Sequence, residues 1–295
     1  MEDVIDDSKR FFSNVLFEIA LRDKLHMTTL TRNDVDESDF RRYLQLIIYD
    51  AFLRNSSTAE QVAKDYLQMI KDMRRETIYF EEHNEYSCKS EKEAYEKFYS
   101  QKGTMEYYLN ALLVSQLLWS HHYEMLKFFN DTLEHWFEKC EKIRVLDIGA
   151  GHGLFSTIVK DTFVDYQKID IVDISKSSLS FAKKTLGEDR IEYHNENLLN
   201  YISNYKYDLI ILSEVIEHID NPLDALKVCK LLLNHSGVLF ITVPLNAPAL
   251  DHIYLFREDY EVVEMIKKSG LKITEYRIEE VNGSKTKLIG AFCTR

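Results

Sequence analysis

Gly149, Gly151 and Gly153 recur at every second position, directly after the apolar run Ile143-Arg144-Val145-Leu146-Asp147-Ile148 and just before Leu154-Phe155-Ser156. Glycine takes positive φ without penalty and puts no Cβ between the backbone and a ligand. A strand that turns sharply into a helix aims the first free helical N–H groups at whatever lies above the strand end. This chemistry belongs to a nucleotide-type site at the carboxyl edge of a parallel sheet. Leu154 stands where the dinucleotide fingerprint carries its third glycine. Asp147, inside the strand, is an awkward neighbour for a pyrophosphate and a suitable one for a cationic ligand. S-adenosylmethionine carries both an ammonium and a sulfonium.

A second acid follows one helix and one return strand later. Lys168-Ile169-Asp170-Ile171-Val172-Asp173 is a strand ending in Asp173, with Ile174 next. A carboxylate at that strand end can accept both hydroxyls of a ribose side by side. It can equally cap the helix that Ser175-Lys176-Ser177-Ser178 begins. Further on, Tyr207-Asp208-Leu209-Ile210-Ile211-Leu212 is a central strand covered on both faces. It runs straight into Ser213-Glu214-Val215-Ile216-Glu217-His218.

On these residues the chain resembles the class I S-adenosylmethionine-dependent methyltransferases, over roughly residues 140 to 295. The resemblance implies S-adenosylmethionine as cofactor and S-adenosylhomocysteine as product. It assigns cofactor contacts to Asp147, Gly149, Gly151, Gly153, Asp173, Ile174, Asn197, Leu198, Ser213, Glu214 and His218. Asn197 stands where the family usually carries an aspartate that meets the adenine amino group, with the Leu198 N–H beside it. Ser213 to His218 matches the family's fourth motif, although Glu217 and His218 also suit a turn that serves only the fold. Asn234-His235-Ser236-Gly237 departs from the family's proline-glycine-glycine turn. The fold expected is α/β, a seven-stranded, mostly parallel, doubly wound Rossmann-like sheet with an N-terminal all-α domain. The division expected is a helical lid over 1–139 and a cofactor-binding catalytic domain over 140–295.

The elements that must position the site follow from pattern. The first glycine is Gly103 and the first proline Pro222, so the opening half lacks helix breakers. Helices are expected over Ser8 to His26, Ser38 to Arg54, and from a capping box at Ser57-Thr58-Ala59-Glu60 to Arg75. Glu76 to Lys102 has no clear period and is expected to be loop, with a short helix around Glu93 to Phe98. Met105 to Phe137 carries apolar residues at three- and four-residue spacing, interrupted by Ser115, Gln116, His121 and His122, and is expected to be one buried helix. Those polar residues suit a hydrogen-bonded core or a cavity over the cofactor. Strands follow at Arg190 to His194 and Val238 to Val243, then a loop Pro244 to Tyr254 at the sheet's carboxyl edge. Asn282-Gly283-Ser284 signals a hairpin joining the two last strands, the final one antiparallel.

The formal net charge of -12 argues against nucleic acid. An acidic, polar start shows no secretory signal, and no apolar run approaches a membrane span. Cys88, Cys140, Cys229 and Cys293 are scattered, so reduced thiols in the cytoplasm are expected, with no metal site.

Methyl transfer aligns a nucleophile, a methyl carbon and sulfur. A hydroxyl acceptor needs a base, and His121, His122, His218 and His252 are candidates, with His122 and His252 favoured. Tyr108, Ser115, Trp119, Asn246 and Tyr254 are expected to meet the acceptor. The helical front half resembles the lids of natural-product tailoring methyltransferases. The acceptor expected is a peptide carboxylate, such as the C-terminus of a ribosomally made peptide. The alternatives are O- or N-methylation of a small aromatic or carrier-bound metabolite, and, in another class, an NAD-dependent oxidoreductase. The oligomeric state is left open.

Overall fold

A computed structural model describes residues 2–30, 37–53, 55–138, 142–281 and 283–295. The front half is helical: α1 (Glu2–Arg22), α2 (Lys24–Thr29), α3 (Glu37–Leu44) continued by wider π-type turns over Gln45–Leu53, α4 (Ala59–His83), α5 (Glu91–Ala94) with a π-type turn over Tyr95–Tyr99, α6 (Lys102–Leu118) and α7 (Ser120–Phe137). The back half alternates β1 (Arg144–Ile148), α8 (Leu154–Thr162), β2 (Lys168–Asp173), α9 (Lys176–Leu186), β3 (Ile191–Asn195), β4 (Tyr207–Ser213), α10 (Pro222–Leu232), β5 (Leu233–Leu245), α11 (Asp259–Lys268), β6 (Lys272–Glu280) and β7 (Lys287–Thr294). The sheet runs β3-β2-β1-β4-β5-β7-β6. β7 is antiparallel to both neighbours, and the other pairings are parallel. This is the seven-stranded, doubly wound sheet expected, with helices before it.

The order reverses beside β1, because β1 pairs with β2 on one side and β4 on the other. Parallel strands covered on both faces must be apolar throughout, and Leu209 to Leu212 are fully buried. A crevice opens at such a reversal, above the carboxyl ends of the strands. The helical layer closes over it. Phe129 on α7 packs against Phe155 on α8 (ring centroids 5.0 Å) and Phe240 on β5 (4.7 Å), and Phe240 meets Phe292 on β7 at 4.9 Å. Arg42 ties α3 to the same elements, donating to Asp161 Oδ2 at 2.7 Å, Asn130 Oδ1 at 2.7 Å and Thr162 Oγ1 at 2.8 Å.

Four expectations are corrected. The first helix stops at Arg22, and Asp23 caps a separate α2 by accepting from the His26 N–H. Thr58, not Ser57, caps α4, which runs on to His83 and ends on Asn84 in the left-handed conformation. The long seam from Met105 breaks at Trp119, whose backbone is extended (φ −103°, ψ 124°) between α6 and α7. The indole N–H of Trp119 donates to Tyr66 Oη at 2.8 Å, so a tertiary anchor takes the role a proline would play. Finally, β5 begins at Leu233, directly after α10, and pairs there with Tyr207. A Cβ on Gly237 would lie 2.7 Å from the Tyr207 carbonyl, which explains a glycine where the family's turn is absent.

Gly283 takes φ 76° in the β6–β7 turn; Asn282 lies outside the described residues, as does Cys140. Cys88, Cys229 and Cys293 are buried free thiols. Among the described residues no helix is long and apolar enough to cross a membrane.

Phe129 is fully buried where helix layer and sheet meet. Phe129→Ala is expected to lower unfolding free energy by about 3–5 kcal/mol, measured by urea titration.

Candidate active site

The glycine loop is held by contacts that only glycine permits. Gly149, Gly151 and Gly153 have φ of 64°, 52° and 76°. A Cβ on Gly149 would sit 2.6 Å from Val215 Cγ2, and one on Gly153 would press on Leu186 and Ala182 of α9 at 3.1 and 3.3 Å. Gly151 differs. Its Cβ would meet Leu109 Cδ2 at 3.7 Å, an ordinary contact, so the requirement there is the positive φ and the close approach of whatever fills the cavity. The first and third glycines therefore serve packing, and the second keeps a cavity clear.

That cavity is bounded by the loop, by Val172, Asp173, Ile174 and Asn197 on the sheet edge, and by Phe98, Tyr108 and Leu109 of the helical layer. Glu91, Asp173, Glu196, Glu214 and Asp251 contribute five carboxyl groups to its wall, and among the described residues no Lys or Arg lines it. Asp173 accepts from the Gly151 N–H at 3.3 Å and the Ser175 N–H at 2.7 Å. Burial pushes its carboxyl up to about 6, against the pull of those two donors. Asp147 lies behind the loop, where Ser156 Oγ donates to it at 2.7 Å; burial raises it to about 7. Glu214 is raised to about 7 by burial and then by the charge of Asp251. A wall of acids without a Lys or Arg among its described residues repels phosphate and favours a ligand bearing positive charge. These residues fit S-adenosylmethionine, and the space left by Gly151 fits a ligand laid against the loop.

Tyr108, Leu112 and Glu214 line both this cavity and a smaller chamber beyond it. The chamber holds His121, His122, His252 and Trp119, and leads to a wide vestibule of about 790 Å³ between α4, the loop after β5 and the β6–β7 turn. The break at Trp119 matters here, since it places His121 and His122 in the first turn of α7. Nδ1 of His122 lies 3.1 Å from Gln116 Nε2 and 2.9 Å from Ser115 Oγ. The amide donates, so Nε2 carries the proton, and it points toward Glu214 Oε1 at 3.9 Å. Nδ1 of His252 is 2.6 Å from the Ala247 carbonyl, which can only accept. His252 therefore keeps its Nε2 lone pair free. Burial holds His121 and His252 down at about 4 and His122 well below the usual imidazole range, so all three are neutral near pH 7.

The chain thus brings Gly149, Gly151, Asp173, Ile174, Asn197, Leu198, Glu214 and His218 to the cavity, and His121, His122, His252, Tyr108 and Trp119 to the chamber. Asn197 Oδ1 already accepts from the Leu199 N–H at 2.8 Å, and one lone pair remains on it. Other expected positions lie elsewhere. Asp147 and Gly153 stand behind the loop. Ser213 Oγ pairs with Thr242 Oγ1 at 2.8 Å inside the sheet. Ser115 is fully buried and reaches the chamber only through His122. Asn246 borders the vestibule, but its amide is committed to the Arg257 carbonyl at 2.8 Å. Tyr254 is corrected outright, because it faces a separate cleft with Pro222, Phe256 and Tyr260. His122 is corrected as a base, since its free nitrogen bears the proton. Tyr99 and Asp251, joined by a 2.8 Å hydrogen bond at the cavity wall, escaped sequence reasoning. The aperiodic stretch around Tyr99 gave no signal, and Asp251 stood out only as the neighbour of His252.

Comparison with known proteins agrees with this geometry. A family model described as a methyltransferase domain matches residues 118–273. The ubiquinone biosynthesis O-methyltransferase of Actinobacillus pleuropneumoniae serotype 7 is 29% identical over 107 residues, covering 34% of this chain and 44% of that protein. Malonyl-[acyl-carrier protein] O-methyltransferase 1 of Ilyobacter polytropus is 30% identical over 116 residues, covering 39% and 43%. The matched segment spans less than half the length of these relatives. Among solved structures, the mitomycin 7-O-methyltransferase MmcR superposes over 84% of this chain and 74% of its own, with TM-score 0.54 and 14% identity, a likeness of fold. With more than half of its residues matched by that family model, over a loop and sheet of this shape, the chain belongs to the methyltransferase-domain family, in its class I, Rossmann-like form.

Proposed function

We propose that this protein is an S-adenosylmethionine-dependent O-methyltransferase acting on a bulky acceptor of the natural-product kind. The observation that carries the reading is the acid-lined cavity over Gly151, which passes by Tyr108 and Glu214 into a chamber of neutral histidines. The relatives named above are O-methyltransferases, which supports oxygen as the accepting atom. The sulfonium supplies an electrophilic methyl carbon, and S-adenosylhomocysteine is left behind.

The chain's own residues bind, orient and remove a proton. Asp173 takes the ribose hydroxyls on the lone pairs its two backbone donors leave free. Asn197 and the Leu198 N–H meet the adenine edge. Asp147 and Ser156 fix the loop from behind. His122 donates its Nε2–H to the acceptor oxygen and holds it beside Glu214. Glu214, poised near neutrality and common to both cavities, takes the acceptor's proton. Residues 1–139 act as the lid that excludes water, and holding both reactants in line is worth about 7–11 kcal/mol.

A hydroxyl acceptor suits a chamber bordered by Glu214. The second reading is a peptide C-terminal carboxylate, favoured by Lys287 at the chamber and Lys285 at the vestibule. Mass spectrometry of reactions offered a hydroxylated scaffold, its carboxylate analogue and a peptide with a free C-terminus tests the reading. A one-carbon mass gain on oxygen of any of them supports O-methylation, and gain on nitrogen alone contradicts it.

Ribose binding prefers the ionised Asp173, whose carboxyl is raised to about 6. Protonation below that pH removes the acceptor, so affinity for S-adenosylmethionine is expected to fall about tenfold from pH 7 to pH 5, by calorimetry. Asp173→Asn flattens that profile and weakens binding throughout. His122→Ala is expected to leave cofactor affinity within about twofold and, by removing one positioned hydrogen-bond donor, to lower kcat by about 10²–10³-fold in steady-state assays.

A further inference from the structure

Two expected positions, His218 and His252, meet at a residue the methyl-donor site does not use. Glu217 is completely buried, and neither of its carboxylate oxygens has a hydrogen-bond partner. Buried carboxylate oxygens are costly unless something satisfies them. The loop after β5 is pinned to this same residue, since the N–H groups of Ile253 and Tyr254 both donate to the Glu217 carbonyl, at 3.0 and 2.9 Å. That pinning carries His252 onto His218, with ring centroids 4.9 Å apart. Ligand atoms of Glu217, His218 and His252 fall within 4.8 Å of one another.

The tautomers are set as metal ligands require. His252 Nδ1–H donates to the Ala247 carbonyl at 2.6 Å, and His218 Nδ1–H donates to the Asp251 carbonyl at 2.9 Å. Both rings are therefore oriented by backbone acceptors and offer Nε2 lone pairs, the outer-shell arrangement of metal-bound imidazoles. Glu214 and Asp251 add negative charge nearby; both raise the carboxyl of Glu217, after burial itself. Among the described residues no Lys or Arg pairs with Glu214, Glu217 or Asp251. A second cluster, Asp170, Glu192 and His194, lacks this character, because Lys168, His194 and Tyr207 already satisfy Asp170.

We propose that Glu217, His218 and His252 bind one divalent first-row transition-metal ion, at the wall between the cofactor cavity and the acceptor chamber. Two imidazoles and one carboxylate leave coordination positions open. His218 borders the cofactor cavity and His252 the chamber, so an ion held there would stand between the two. This role, though not the binding itself, rests on the methyltransferase reading above. Held by Glu217, His218 and His252, such an ion would polarise the acceptor hydroxyl. The O–H proton passes to the Glu214 carboxylate, the oxygen lone pair forms the O–CH3 bond, and the C–S bond breaks with its electron pair kept on sulfur. The scattered cysteines gave no such site in the sequence. The ligands come instead from a turn and a loop brought together by two backbone hydrogen bonds.

The test uses the full chain, stripped with a chelator and titrated with Co²⁺ and Zn²⁺ by calorimetry, with Co²⁺ absorption as the spectroscopic signature. One equivalent is expected, with visible bands of a low-coordinate nitrogen and oxygen site. Glu217→Gln, nearly isosteric, and His252→Ala are each expected to weaken Co²⁺ binding by at least about 100-fold. Affinity for S-adenosylhomocysteine is measured in parallel as the control for folding and for the cofactor reading. Retained S-adenosylhomocysteine binding without stoichiometric metal binding overturns the metal site alone. Unchanged Co²⁺ affinity in Glu217→Gln overturns it as well.

Discussion

A cluster of carboxyl groups at the carboxyl edge of the sheet, with no Lys or Arg partner among the described residues, is the constraint around which the site is built. Asp147, Asp173, Glu214, Glu217 and Asp251 all lie where β1, β2, β4 and the loop after β5 end, and burial raises four of the five carboxyls. Hydroxyl and backbone donors satisfy Asp147 and Asp173. Among the described residues no Lys or Arg answers them, although the sequence has 37 to draw on. Such a wall is unfavourable until something positive occupies it. A sulfonium with its ammonium answers the outer part. The proposed divalent ion would answer the inner part, at Glu217.

The helical half does more than cover this edge. Leu109 faces the glycine that keeps the cavity open, Tyr99 holds Asp251, and Glu91 accepts the Asp220 N–H at 2.8 Å beside the fourth motif. The Trp119 hydrogen bond to Tyr66 sets where α7 begins, and the aromatic contact of Phe129 holds α7 against the sheet. Its first turn carries His121 and His122 to the chamber beside Glu214. Helix α7 is in this way part of the same core that holds the sheet together.

The sheet was legible because its signals are local. Strand Lys168 to Asp173 could be bounded from apolar runs alone, and the glycine spacing marks the loop without any tertiary knowledge. The site was legible as far as those strands carry it. The break at Trp119 was not, because no proline or glycine encodes it; a hydrogen bond to Tyr66 on another helix does. For the same reason the tautomers of His122 and His252 could not be read, since each is set by a partner that only folding supplies. Tyr254 was misplaced because a loop's length says where it starts and not which way each residue turns. Glu217 looked like a turn residue, and only its depth and its orphaned oxygens distinguish it.

The central claim is that this cavity selects a cationic adenosyl ligand over a phosphorylated one. Calorimetry of the purified chain with S-adenosylmethionine and with NAD at matched ionic strength tests it most directly. The account predicts one saturable site for S-adenosylmethionine and no measurable heat with NAD. Binding of NAD, or the absence of any heat with S-adenosylmethionine, would contradict it.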